Sequence, residues 1–395
     1  MKYAIVIPDG AADEPLDDLG GKTPLEAAET PNMDWVATRG KIGTVRNVPE
    51  AMAPGSDVAI LSVLGYDPEK FYTGRAPLEA AARGLEIADD EWVFRCNLVT
   101  IVEGRMEDHS AGHISTEEAS AIVEELNRNL SGPRVHFHHG VSYRHLMTYR
   151  GEVSVETTPP HDILGRTADE YLPTGEGADM LRTLIQRSRD ILAANEINTV
   201  RRDLGENAAT SIWLWGQGQM PRLPAFRKRY GVDGAAITAV DLIRGLARLI
   251  GWDTIEVPGA TGFVDTNYAG KGEAAVRALS EKDLVFVHVE APDEAGHNAD
   301  VRGKVEAITH IDRHIVGPVL KRLQAEGDDW RILVLPDHPT PISVRTHTKA
   351  EVPFAMAGKR VEAVVGGPFC EATAAESDLH IPRGCEMMEF FLTVR

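Results

Sequence analysis

Asp9, Ser56, Asp293, His297, Asp337, His338 and His347 are of the residue types that bind divalent metal ions or transfer phosphoryl groups. Asp293 and His297, in APDEAGHNAD, are four positions apart, which puts both on one face of a helical turn. Asp337-His338 directly follows an apolar run at residues 332–335. A carboxylate at the end of a buried strand needs a partner or a cation. Asp9 closes the first apolar run in a Pro-Asp-Gly sequence, and Ser56, in APGSDVAILSVLGYDP, stands where a turn leads into a helix. A serine there would meet free backbone N–H groups and a helix dipole, both favourable to a phosphate. Each residue also has a plainer reading: Asp9 as a turn residue, Ser56 as a helix cap, Asp293 and His297 as a solvated pair, Asp337 as a cap with a neighbouring surface histidine, and His347 as a loop histidine.

The elements that must position these groups are legible. Residues 3–7, 284–289 and 332–335 are short, nearly unbroken apolar runs, each followed by Pro and Asp. That is the pattern of strands buried on both faces in a parallel sheet, with functional groups at the carboxyl ends where open α/β sheets bind ligands. Helices fall between them, one from Thr30-Pro31 to near Gly40 and one over about 302–324 with Val305, Ile308, Ile311, Ile315, Val319 and Leu323 on one face. The expected fold is therefore α/β, a doubly wound, mostly parallel sheet. The middle of the chain differs. Residues 94–102 and 135–149 are strand-like, a capping box at Ser115–Glu118 opens a helix, a second long helix covers about 178–194, and 211–215 is a further strand. A smaller α+β domain inserted at 88–225 is expected, with 1–87 and 226–395 forming the core.

Composition narrows the partners. A net charge of −19 lacks the basic footprint that nucleic acid or an anionic membrane requires. Cys96, Cys370 and Cys385 form no CxxC pair, which favours a reducing compartment. The first apolar run is too short for a signal peptide or a membrane span, so a cytoplasmic protein is expected. Gly21-Lys22-Thr23 imitates the end of a phosphate-binding P-loop, but Leu16 stands where that motif needs Gly and Pro24 follows at once.

Taken in order, Asp9, Ser56, Asp293-x-x-x-His297, Asp337-His338 and His347 resemble the alkaline phosphatase superfamily, and more closely the archaeal type of cofactor-independent phosphoglycerate mutase. The resemblance spans IPDGAADEPLDDLGGKTPLEAAETPNMD, APGSDVAILSVLGYDP, YTGRAPLEAAARG, DHSAGHIS, WLWGQG, GATGFVDTNYAGK, HVEAPDEAGHNAD and PDHPTPISVRTH. It implies an alkaline phosphatase-like core in which Asp9, Ser56, Asp337 and His338 bind one divalent ion and Asp293, His297 and His347 the other. Mixed carboxylate and imidazole donors suit Mn²⁺ or Zn²⁺, with Mg²⁺ or Co²⁺ as alternatives. It further implies that Ser56 is the nucleophile of a phosphoserine intermediate, that no 2,3-bisphosphoglycerate is needed, and that the inserted domain closes over a small phosphorylated acid to exclude water. His113 in DHSAGHIS corresponds to a substrate-binding histidine and is the candidate acid/base, with a position ahead of the Ser115 helix as its plainer reading. Arg75, Arg144, Arg166, Arg201 and Arg202 are candidates for clamping carboxylate and phosphate. Two other activities share these motifs: a homoserine kinase-like phosphotransfer, proposed for a bacterial branch, and a metal-dependent phosphatase or phosphomutase acting on another ester. The oligomeric state is open.

Overall fold

The apolar runs assemble into one sheet. In the structure, a computed structural model that describes residues 1–393, the strand order is Asp253–Ile255, Gly234–Ile237, Leu284–Val289, Lys2–Pro8, Trp330–Val334, Val352–Gly358, Lys41–Val45, His380–Ile381. The first five strands run parallel, and only Val352–Gly358 runs against its neighbours. The doubly wound, mostly parallel α/β class expected from the apolar runs is thus the fold of this unit. Ala4, Val6, Val285, Val287, Val289, Ile332 and Val334 face helical residues Ile308, Ile311, Ile315, Val319 and Leu323 in the main core. Because Pro8 is in register with Val289, and Leu335 N–H donates to the Val6 carbonyl, the carboxyl ends of three adjacent strands finish side by side. Asp9, Glu290 and Asp337 follow them.

Two helices differ from their sequence reading in instructive ways. The stretch expected as one helix over 302–324 is Val301–Ile311, a π turn at Asp312–Val316, and Gly317–Gln324. Pro318 has no N–H to continue an α-helical ladder, so the turn before it widens. Asp312 in that turn accepts the N–H of Met33 at 2.7 Å and of Asn32 at 3.3 Å. It thereby caps the helix Pro31–Arg39, whose N-cap Thr30 gives no side-chain cap.

The chain divides into two compact units, residues 1–72 with 222–395, and residues 73–221. The second begins before residue 88 because the helix Arg75–Ala82 packs on its strands, with Ala76 and Ala80 clustered against Val93 and Leu146. Its antiparallel sheet is built around the long strand Glu91–Val102, and the region 135–149 is a hairpin of Val135–Val141 and Arg144–Arg150 rather than one stretch. Ser142, at φ +53°, makes the turn. The Ser115 capping box is formed and opens Thr116–Leu130, which with Ala178–Ala194 covers a separate core. No helix among the described residues is long and apolar enough to cross a membrane.

Candidate metal centre and active site

Ser56 is the first residue of the helix Ser56–Val63, and Gly55, not Ser56, occupies the cap position. Its hydroxyl is therefore free of capping duty. Oγ lies 3.3 Å from Asp9 Oδ2 and 3.1 Å from His338 Nε2. His338 Nε2 in turn is 3.6 Å from Asp9 Oδ1 and 3.5 Å from Asp337 Oδ2. Those two carboxylate oxygens are buried and accept no hydrogen bond. Buried polar atoms are rarely left so, and here both turn toward the same imidazole nitrogen, which also meets the serine oxygen. Four donors converging in this way fit a divalent cation.

The second cluster is built on the helix Ala291–His297, which starts with a Pro in its first turn. Asp293 and His297 are one turn apart, with His297 Nε2 3.2 Å from Asp293 Oδ2. His347 Nε2 lies 3.4 Å from Asp293 Oδ1 and 3.0 Å from His297 Nε2. His297 Nδ1 donates to the Arg345 carbonyl at 3.0 Å. That bond assigns a proton to Nδ1, so Nε2 is the nitrogen that can meet a cation once any proton it shares with Asp293 is displaced. The clusters adjoin, since Asp9, Asp293 and His338 also place ligand atoms within 4.8 Å of one another. The structure thus brings all seven residues nominated from the sequence together.

Electrostatics point the same way. Burial, and then the neighbouring charges of Asp337 and Asp293, push the Asp9 carboxyl well above its ordinary range. Burial also raises Glu290, to about 8. Asp293 is held well below the ordinary range, because hydrogen bonds from His297 and His347 outweigh its own burial. Crowded, buried carboxylates of this kind are stabilised by a nearby cation.

Gly10 shows how tightly the loops are fitted. It sits at φ +62°, and a Cβ there would lie 2.6 Å from Asp293 Oδ1 and 2.7 Å from Thr340 Oγ1, so only glycine suits the turn after Asp9. Its N–H donates to Asp337 Oδ1 at 3.2 Å. Behind these loops, Lys304 Nζ pairs with Asp13 Oδ2 at 2.7 Å and donates to the Thr340 carbonyl at 2.9 Å.

A family model described as 2,3-bisphosphoglycerate-independent phosphoglycerate mutase matches residues 37–198. A curated protein of that description from Methanosarcina barkeri is 51% identical over 358 residues, covering 90% of this chain and 90% of its own. Another from Methanothrix thermoacetophila is 47% identical over 392 residues, covering 99% and 100%. The chain belongs to this mutase family. Among solved structures, a Pyrococcus horikoshii protein of 29% identity superposes with a TM-score of 0.84, covering 99% of this chain and 96% of its own.

For this mutase, the substrate candidates nominated from the sequence all lie in the second unit, and they separate there. His113 is exposed, in a left-handed turn at φ +48°, with its ring 6.3 Å from Tyr143. The turn is organised by Asp108, which accepts hydrogen bonds from Ser110, Gly112 and Asn207. His109 and His161 join the same group, His161 meets Trp215 edge to face, and Arg95 lies 4.1 Å over the Trp215 ring. Arg75 and Arg144 are close enough to Arg95 to act on its charge. The group is aromatic and carries several cations, of which Arg95 is paired with Glu79 at 3.0 Å. His109, Arg95 and His161 were missed from the sequence, although His109 lies in the quoted DHSAGHIS motif.

Arg201 is a correction. It is buried, with its guanidinium bound to Glu118 at 2.9 Å, Glu206 at 3.1 Å and the carbonyls of Ala111, Gly112 and Asn207. Those bonds tie it to the fold, where a sequence shows only an arginine. Arg202 is exposed and bonds to the Ala193 carbonyl and to Thr199 of its own helix region, and Arg166 is exposed on Tyr171. Accordingly, Arg201→Ala is expected to cost at least about 2 kcal/mol and Arg202→Ala less than about 0.5 kcal/mol, measured as shifts in urea unfolding. Equal, small effects would contradict the distinction.

Proposed function

We propose that the chain interconverts 3-phosphoglycerate and 2-phosphoglycerate through a phosphoserine at Ser56. In this reading Asp9, Ser56, Asp337 and His338 hold one divalent ion, and Asp293, His297 and His347 hold a second. The observation that carries the reading is the placement of Ser56 Oγ within 3.3 Å of both Asp9 and His338, on the first turn of a helix, uncommitted to capping. When bound, two ions of the Mn²⁺ or Zn²⁺ class supply Lewis-acid activation of the serine hydroxyl and neutralise charge on the phosphoryl oxygens.

The residues then divide the work. Ser56 attacks phosphorus, and its bond to phosphorus forms as the ester bond to the substrate hydroxyl breaks. The serine proton passes to a general base, the departing glycerate oxygen takes up a proton from a general acid, and both transfers reverse in the second half. In the second half the other glycerate hydroxyl attacks the phosphoserine, restoring Ser56. The serine stores the phosphoryl group between halves, so no 2,3-bisphosphoglycerate is required. His113 and the arginines of the second unit's cationic group, Arg75 and Arg144 foremost, are the candidates for proton transfer and carboxylate recognition. The three free cysteines suit a reducing, cytoplasmic setting.

The test is a coupled assay of 2-phosphoglycerate formation from 3-phosphoglycerate with no bisphosphoglycerate added. Conversion should be lost on chelation and return with Mn²⁺. Full activity after metal removal would contradict the reading, and release of phosphate without isomer formation would replace the mutase by a phosphatase.

A pH dependence follows. The hydrogen bond to Asp293 lifts His297 to about 9. The imidazole is therefore protonated at neutral pH, and an ion entering that site must displace the proton. Affinity for this ion should rise with pH and level off above about 9, with proton release on binding at neutral pH. Binding that does not change with pH and releases no proton would refute it.

A further inference from the structure

His288 lies within the strand Leu284–Val289, fully buried in an otherwise apolar run. Burying an imidazole is unfavourable unless both ring nitrogens are bonded, and here both are. Nε2 is 2.8 Å from Asp9 Oδ2, and Nδ1 is 3.2 Å from Thr238 Oγ1. We propose that His288 is the positioning residue for Asp9, holding one carboxylate oxygen so that the other is presented to the metal ion; this rests on the two-ion reading above.

The direction of the bonds follows from the groups at the two ends. Thr238 Oγ1 accepts the Val240 N–H at 3.1 Å, so its own proton is available for Nδ1. Asp9, ionised as it must be to hold a metal ion, can only accept. Both ends thus select the tautomer with a lone pair on Nδ1 and the proton on Nε2. The chain of bonds runs from backbone through Thr238 and His288 to Asp9 Oδ2. That oxygen also receives the Ser56 hydroxyl, so fixing Asp9 fixes the serine. Asp9 Oδ1 is left without a hydrogen bond, beside His338. The strand itself is pinned at this point, since the buried Lys271 ammonium donates to the His288 carbonyl at 3.1 Å.

The competing role is that of a ligand, because Asp9, His288 and Asp337 place donor atoms within 4.8 Å of one another. In that role Nε2 would present its lone pair to Asp9 Oδ2 at 2.8 Å, and the Thr238 hydroxyl would lose its acceptor. Other members of the site are held from behind in the same manner: His297 by the Arg345 carbonyl, Asp337 by Gly10 N–H and Asp293 by the Thr340 hydroxyl. Bonds of this type orient ligands and commonly change metal affinity by about 10–100-fold.

The experiment is calorimetric titration of chelator-treated protein with Mn²⁺ for wild type, His288→Ala, His288→Gln and Thr238→Val. His288→Ala should weaken one of the two ions about 10–100-fold and leave the other unchanged. His288→Gln keeps an N–H donor and should recover most of the loss. Thr238→Val, which leaves the imidazole in place and serves alone if the alanine variant does not fold, should weaken the same ion by a smaller factor. Glutamine failing as badly as alanine would make His288 a ligand and overturn the proposal, as would unchanged affinities in all variants. Wild-type protein that takes up no Mn²⁺ would instead remove the two-ion reading, and the proposal with it.

Discussion

Ser56→Ala is expected to lower turnover by roughly 10⁴-fold or more, the scale on which removing a nucleophile acts, with the fold retained. The two halves of this expectation come from different features. The chemical half rests on Oγ being the one hydroxyl among the described residues that meets both Asp9 and His338. The structural half rests on Gly55 holding the cap position, so that loss of Oγ removes no helix cap. The melting temperature should correspond to less than about 0.5 kcal/mol of change, as for substitutions away from buried or capping features. Three of the four donors proposed for one ion persist and the set proposed for the other is untouched, so metal binding should persist as well. Activity within about tenfold of wild type would remove Ser56 from the chemistry.

The second large effect is on stability. Lys304→Met should destabilise the first unit by about 3–5 kcal/mol, the cost of breaking a buried ion pair from one side. The Lys304 ammonium is fully buried and holds Asp13 at 2.7 Å, the Thr340 carbonyl at 2.9 Å and, more loosely, the Ala12 carbonyl at 3.5 Å. Asp13 in turn accepts the N–H groups of Ile342 and Glu14. Lys304 therefore joins the loop after Asp9 to the loop after His338. Methionine fills the volume but leaves the Asp13 carboxylate without its counter-charge. Urea unfolding monitored on the first unit measures the loss, and a change below about 1 kcal/mol would show that the loops are held by other contacts. Activity should fall even where the variant is folded, because both loops carry proposed metal ligands.

These two residues mark what the sequence discloses and what it does not. The strands that precede Asp9, Asp293 and Asp337 were legible because parallel strands buried on both faces read as unbroken apolar runs, and the Pro-Asp that follows each lies at or just beyond its end. The seven clustered residues were legible as a set because five of them follow such strands or open a helix. Lys304 was invisible, since a lysine inside a helical pattern reads as solvent-facing, and only the fold places Asp13 opposite it. His288 did leave a signal, one imidazole in LVFVHV, but hydrophobic periodicity absorbs it as a strand residue. Arg201 and Arg144 are alike in sequence. Their difference, one closed in by Glu118, Glu206 and three carbonyls and the other exposed beside Tyr143, arises from contacts between distant segments. The stretch expected as one helix over 302–324 is helical throughout but widens into a π turn just before Pro318, where local chemistry was readable, and that turn caps another helix through Asp312.

The central claim, transfer through Ser56, is tested most directly by acid-quenching the Mn²⁺-loaded protein during turnover of 3-phosphoglycerate and mapping phosphate by peptide mass spectrometry. One phosphate on Ser56, absent from chelated protein and from Ser56→Ala, is the predicted result. Isomerisation proceeding at full rate with no phosphate on Ser56, or with phosphate on another residue, would contradict it.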